Sequence, residues 1–185
     1  MIKTFDNEKH LSKNLALEIL TKLKNKKKFV LGCPGGRSLK KTYYYLGTLS
    51  YKYKISLDKL TIIMMDEYVV KRKNEYLLIN PKLHFSCVRF SKNVIKKLLN
   101  YKKNKKNSLK DYNILFPSVK KPNNYDKIIK SLGGIDIFLL ASGSSDGHVA
   151  FNNAFSKINQ KTHITKLSES TRRDNIKTFS NFKKI

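Results

Sequence analysis

The sequence has almost no cysteine: Cys33 and Cys87 are the two it carries. Two thiols make neither a disulfide framework nor a zinc pattern. A disulfide-stapled secreted scaffold is thereby excluded, and a reducing cytosol is the expected compartment. Cys33 lies in an apolar run and reads as a small buried hydrophobe. No run of 18 or more apolar residues occurs, so no membrane span is expected. The N-terminal MIKTFDNEKHLSK lacks the apolar centre of a secretory signal. Acidic residues are also scarce, 13 against 39 basic ones, for a formal net charge of +26. A charge of that size ordinarily points to nucleic acid. Arginine is scarce as well: Arg37, Arg72, Arg89, Arg172 and Arg173 are the whole set. Bidentate reading of phosphates and bases favours arginine over lysine. The lysines are spread along the chain among many Asn, Ile and Tyr, as a compositional bias would spread them. No specific nucleic-acid partner is expected, only nonspecific adhesion to polyanions at low salt.

What the chain does have is enough length, 185 residues, for one substantial core, and a single domain over 1–185 is expected. It is organised around Phe138 to Asn153. The apolar run Ile135 to Leu140 reads as a buried strand. It empties into the small-residue turn Ala141-Ser142-Gly143-Ser144-Ser145, then Asp146, Gly147 and His148. Val149-Ala150-Phe151 reads as the start of a further element. A loop carrying Asp and His at a strand's carboxyl end is where open α/β sheets bind ligands. Asp146, two residues before His148, is placed to fix its ring or shift its pKa, and His is the usual proton carrier near neutral pH.

Asp6 to Lys24 has helical periodicity, with Leu11, Leu15, Ile19 and Leu23 four residues apart and Asp6 as the candidate cap. Phe29 to Cys33 is a strand. It ends in Pro34-Gly35-Gly36-Arg37-Ser38, with a second helix starting near Leu39. Strand, glycine pair, hydroxyl and helix start make a candidate phosphate cradle: Gly35 and Gly36 allow close backbone approach, Ser38 offers a hydroxyl and Arg37 a charge. Leu60 to Met65 is a strand that delivers Asp66, Glu67 and Tyr68 to its carboxyl end, where a partly desolvated carboxylate can serve as a general base. The middle, Val69 to Asn124, gives little beyond a helix within Ser86 to Tyr101 and a solvated charge run, Lys102 to Lys106. Tyr125 to Leu132 is a short helix closed by Gly133-Gly134. His163 to Leu167 is an edge strand or loop, followed by Ser168 to Asn175 with Thr171-Arg172.

Several of these stretches, in order, resemble the glucosamine-6-phosphate deaminase and 6-phosphogluconolactonase superfamily. Asp146-Gly147-His148-Val149-Ala150-Phe151-Asn152 is similar to the deaminase run DGHIAFNEP, and Met65-Asp66-Glu67-Tyr68 to its Met-Asp-Glu-Tyr. Gly35-Gly36-Arg37-Ser38 is closer to the Gly-Gly-Arg-Thr of lactonases. The resemblance implies that Asp66 moves a proton between C1 and C2 of the open-chain sugar and that His148, with Asp146, assists ring opening. Gly35, Gly36, Arg37, Ser38 and Arg172 are implied to hold the substrate phosphate. Two departures stand out. Asn153 falls where deaminases have a Glu supporting the histidine. The chain ends at Ile185, before further strands and a phosphate-binding Lys, which implies a sheet short on one side with an exposed edge or a covering partner.

The fold expected is therefore α/β, an open, mainly parallel, Rossmann-like sheet with helices on both faces, incomplete towards the C-terminus. The expected activity is that of a cytoplasmic aldose–ketose isomerase and deaminase of an amino-sugar phosphate, with a small-molecule sugar phosphate as partner. A homo-oligomer is compatible with it, and neither metal nor organic cofactor is implied. The alternatives are a sugar-phosphate lactonase and a truncated, non-catalytic sugar-phosphate-binding protein.

Overall fold

The computed structural model describes residues 2–179; the expectation attached to the chain end at Ile185 lies outside them. Four parallel strands form the main sheet: β1 (Phe29–Cys33), β2 (Leu60–Met64), β5 (Ile114–Leu115) and β6 (Ile137–Phe138). Their spatial order is β5-β2-β1-β6. Phe29 pairs with Leu60 and Cys33 with Met64, Ile62 with Ile114, and Leu31 with Ile137. The order reverses between β1 and β6, so the chain's switch point lies between their carboxyl ends, where open α/β sheets open a crevice.

Side chains alternate across the strands, and the two faces bury different sets. Phe29, Leu31, Cys33, Leu60, Ile62, Met64 and Ile114 face one layer. Against them pack α1 (Glu8–Lys24), through Ala16, Ile19, Leu20 and Leu23, and α2 (Lys40–Lys52), through Tyr43, Leu46 and Leu49. The helical stretch α3 (Cys87–Phe90), a π-helical turn Ser91–Ile95 and α4 (Lys96–Leu99) adds Ile95 and Leu99. Val30 and Ile63 face the other way, onto α5 (Asn124–Ser131), where the buried Tyr125 hydroxyl lies 2.8 Å from the Met64 and Leu115 carbonyls. The two-sided α/β expectation is met, with one heavily covered face and one light one.

Details depart from the sequence reading. Asn7, not Asp6, caps α1, its side chain accepting from the His10 N–H at 2.9 Å. The buried stripe of α1 runs through Ser12, Ala16, Ile19, Leu20 and Leu23, while Leu11 is exposed. The apolar run 135–140 is not a buried strand throughout. Among the described residues β6 is an edge, two residues long, and Phe138 and Leu140 are 41% and 62% exposed while Leu139 is buried. Val149 to Phe151 starts no new element but closes a turn, with a bridge from Ser142 to Val149. The uninformative middle holds an antiparallel hairpin, β3 (Val69–Arg72) with β4 (Glu75–Leu78). Residues 163–167 are a loop, and α6 (Glu169–Thr178) follows with Ser168 as its cap. A third cluster, Ile79 and Phe85 with Tyr68, Val70, Leu167 and Ile176, ties the hairpin region to α6. No described helix is long and apolar enough to cross a membrane.

Candidate active site

The crevice at the switch point is a cleft of about 450 Å³, within the usual range for small-ligand sites. Its floor is the loop after β1. Gly35 and Gly36 lead into a tight 3-10 turn, Arg37–Leu39, and then into α2. Neither the turn nor α2 has a side-chain cap, and neither has an acidic residue in its first turn. The backbone N–H groups that a cap would otherwise take are thus left to an anion, and the helix dipole favours one there. Arg37, Ser38 and Lys40 line the same wall. The two glycines are unlike. A Cβ on Gly35 would stand 2.4 Å from the Cys87 sulfur and 3.1 Å from the Asp66 carboxylate, whereas one on Gly36 would meet nothing within 4 Å. Gly35 is required by close approach; Gly36 is not.

Beside that loop, β2 delivers two adjacent carboxylates with different occupations. Glu67 accepts from the Ser86 hydroxyl at 2.8 Å and the Val88 N–H at 2.8 Å through one oxygen. Its other oxygen takes the Tyr68 N–H at 2.8 Å and the Cys87 N–H at 3.1 Å. Glu67 therefore closes the open N–H groups at the start of the 87–99 helical stretch. It is a structural group, whereas Asp66 lines the cleft. Asp66 is half-buried at the cleft, with the Cys87 thiol donating to its Oδ1 at 3.3 Å. Burial pushes its pKa up to about 6, and the nearby Glu67 charge acts in the same direction; the Cys87 hydrogen bond and His148 act against it. A carboxylate ionising near neutrality is suited to taking and returning a proton.

Opposite stands the loop after β6. It doubles back on itself through Gly143, whose N–H donates to the His148 carbonyl at 2.8 Å, and Gly147, at φ 69°. A Cβ on Gly143 would come within 2.2 Å of the His148 ring, so this glycine of the small-residue turn lets the ring fold over it. His148 Nδ1 lies 2.5 Å from Asp146 Oδ1 and 3.1 Å from the Thr171 hydroxyl. The carboxylate holds the ring proton on Nδ1 and leaves Nε2 for proton exchange. Asp146 is itself held by α6: Ser168 donates to its Oδ2 at 2.8 Å, and Ser170 donates there as well. The Ser170, His148 and Ser168 hydrogen bonds keep Asp146 well below the usual carboxylate range. Asp174, further along α6, accepts from Ser144 and Ser145 at 2.9 and 2.7 Å. The loop and the helix are thus laced together from both sides.

Gly35, Gly36, Arg37, Ser38, Asp66 and His148 all line the one cleft. Asp146 stands behind His148 as its orienting group. Arg172 is elsewhere: it is exposed on α6, outside the cleft lining, while Asn175 and Thr178 of the same helix, and Phe179 just after it, line the cleft. Asn153 is turned away as well. Its side chain accepts from the Phe155 N–H at 3.0 Å and donates to Thr165 at 3.3 Å. The sequence reading missed Cys87, Ser168, Ser170 and Thr171. Their only signal was hydroxyl and thiol chemistry in stretches too polar or too irregular to place. Among the described residues no cluster of His, Cys, Asp and Glu is arranged to hold a metal.

The same architecture occurs in known proteins. The chain superposes on a monomeric glucosamine-6-phosphate deaminase with a TM-score of 0.78 at 23% identity, over 97% of this chain and 70% of that one. It superposes on a 6-phosphogluconolactonase from Thermotoga maritima with a TM-score of 0.56 at 19% identity, over 82% of this chain and 63% of that one. In sequence it is 31% identical over 180 residues to a glucosamine-6-phosphate deaminase from Clostridium tetani, covering 97% of this chain and 70% of the relative. Residues 6–169 match the family model of glucosamine-6-phosphate isomerases and 6-phosphogluconolactonases. With the parallel sheet, its switch-point cleft and that match in hand, the chain belongs to the glucosamine-6-phosphate isomerase and 6-phosphogluconolactonase family.

Proposed function

We propose that the protein is an aldose–ketose isomerase and deaminase of glucosamine 6-phosphate or a closely similar amino-sugar phosphate. The observation that carries this reading is the convergence on one cleft of an uncapped helix start, a carboxylate ionising near pH 6 and a histidine held through Nδ1. The name of the Clostridium tetani relative supplies the substrate class.

The phosphate rests on the Gly35–Ser38 backbone and the Ser38 hydroxyl, with Arg37 and Lys40 adding charge. His148 exchanges a proton at Nε2 with the ring oxygen and opens the sugar. Asp66, ionised, takes the proton from C2 of the open chain and returns it to C1. The C1 oxygen gains a proton as the C2 amine gives one up, so C1 becomes a CH2OH carbon and C2 an imine; water then adds to C2 and ammonia leaves, giving the ketose phosphate. Glu67 takes no proton in this scheme; it keeps the 87–99 stretch in place. Arg172 reaches the phosphate only if α6 turns its exposed face towards the cleft.

A lactonase is the second reading, favoured by Gly35-Gly36-Arg37-Ser38 and by the same crevice serving a hydrolysis. Incubation of the purified protein with glucosamine 6-phosphate, following ammonia and ketose phosphate, tests the first reading. Hydrolysis of 6-phosphogluconolactone under the same conditions tests the second. Lactone turnover without ammonia release overturns the proposal.

A further inference from the structure

Cys87 is given no part in the reaction above, yet it packs directly against two residues of the cleft, Gly35 and Asp66. It opens the 87–99 helical stretch, its N–H held by Glu67 at 3.1 Å, and its thiol reaches the Asp66 Oδ1 at 3.3 Å. The thiol is buried and desolvation raises its pKa well above the ordinary thiol value, so it stays protonated and can only donate to Asp66. The absence of a Cβ at Gly35 is what admits the sulfur. The two carboxylate oxygens are thus made unequal, since the thiol engages Oδ1.

We propose that Cys87 is a positioning residue that orients the Asp66 carboxylate and sets its strength as a base. The inference rests on the reading of Asp66 as the proton carrier for its catalytic consequence, but not for its physical one. Asp66 is faced by Cys87 from the 87–99 stretch and by His148 from the loop after β6. Glu67 and Tyr68 lie on its own segment, and Arg37 and Lys40 line the cleft from the glycine loop. Of these, Cys87 gives the carboxylate its short-range hydrogen bond. A thiol is a weak donor; a hydroxyl in its place is a stronger one, and a methyl is none.

The two replacements must therefore move Asp66 in opposite directions. Cys87→Ser strengthens the bond to the ionised form and lowers the midpoint. Cys87→Ala removes the bond and raises it, by about one pH unit for a hydrogen bond to a charged group. The test is a carbon-13 NMR titration of the Asp66 carboxyl in wild type, Cys87→Ser and Cys87→Ala, with Asp66→Asn identifying the resonance. The acid limb of kcat/KM for ammonia release from glucosamine 6-phosphate is followed in parallel. Opposite shifts of the midpoint, matched by the acid limb, support the inference. Opposite shifts in a protein that releases no ammonia support it too, while removing the deaminase reading. Equal midpoints in all three folded proteins, or shifts of the same sign, overturn it whatever the activity. A merely structural cysteine would lower activity in both variants without moving the titration in opposite directions.

Discussion

At the scale of single residues, the cleft sets a conflict between stability and chemistry. Asp66 has a folded-state pKa of about 6 against an ordinary 3.8. Between those values the native protein binds more protons than the unfolded chain, so this group's contribution to stability falls as pH rises through the window and is lowest above about pH 6. Asp66→Asn should therefore be more stable than wild type at pH 7, by on the order of 1–2 kcal/mol, with the gain vanishing near pH 4. Urea unfolding at the two pH values measures it. The same variant should lose turnover by several orders of magnitude while still binding a sugar phosphate, because an amide cannot take a proton from carbon and the phosphate rests on other residues. Turnover unchanged in Asp66→Asn removes the proposed chemistry outright. Gly35→Ala is the complementary case. Its methyl meets the Cys87 sulfur at 2.4 Å, so the loop must shift, and both ligand binding and turnover should fall in a protein that remains folded.

At the scale of elements, the site depends on where helices begin and how closely they cross. Glu67 satisfies the first N–H groups of the 87–99 stretch, and replacing it by Ala leaves them without a partner in a half-buried place. A loss of about 1–3 kcal/mol in chemical denaturation is expected, together with a drop in activity as Cys87 moves from Asp66. Gly47 is more severe. It lets α2 pass against the end of α4, and a Cβ there would stand 1.8 Å from the Leu98 carbonyl oxygen. Gly47→Ala should destabilise by about 3 kcal/mol or more, although Ala is the better helix former, and a melting temperature at or above wild type would contradict the packing. These elements also mark what the sequence makes legible. Phe29–Cys33 is an unbroken apolar run and the strand at Leu60 is apolar but for Thr61, and such runs announce strands buried on both faces. The glycine loop, Asp66 and His148 follow from their position at strand ends. The hairpin at 69–78 is not legible because it faces solvent and carries no clean alternation. The stripe of α1 shifts because Ser12 and Ala16 are small enough for close helix packing, which leaves Leu11 outside. Nothing local could have distinguished Glu67 from Asp66, since their difference is made by a helix start twenty residues further on.

At the scale of the whole molecule, the charge is the dominant unassigned property. With 39 basic and 13 acidic residues, there are too few carboxylates for most lysines to have one each. Surface ion pairs such as Lys22–Glu18 and Lys41–Glu8 are solvent-exposed and individually weak. One lysine of the run at 102–106 is not simply solvated: Lys103 donates to the Ile55 carbonyl at 2.8 Å, and partial burial lowers its pKa. For the rest, self-repulsion opposes the compact state and is screened within a Debye length of about 8 Å at physiological ionic strength. The melting temperature should therefore rise as sodium chloride is added from a low-salt buffer, and adhesion to nucleic acid should fall steeply over the same range without sequence preference. A specific site behaves differently. A sugar phosphate that binds only the folded protein adds stability as the logarithm of its concentration over its dissociation constant, about 2.7 kcal/mol at a hundredfold excess. Since any anion screens a chain this basic, the comparison is made at matched ionic strength against chloride. The ligand should then still raise the melting temperature of wild type, and raise that of Ser38→Ala and of a Lys40→Ala variant less. If matched chloride reproduces the whole shift, or if both variants respond as wild type does, the uncapped start of α2 is not a phosphate site and the effect belongs to the charge of the molecule alone.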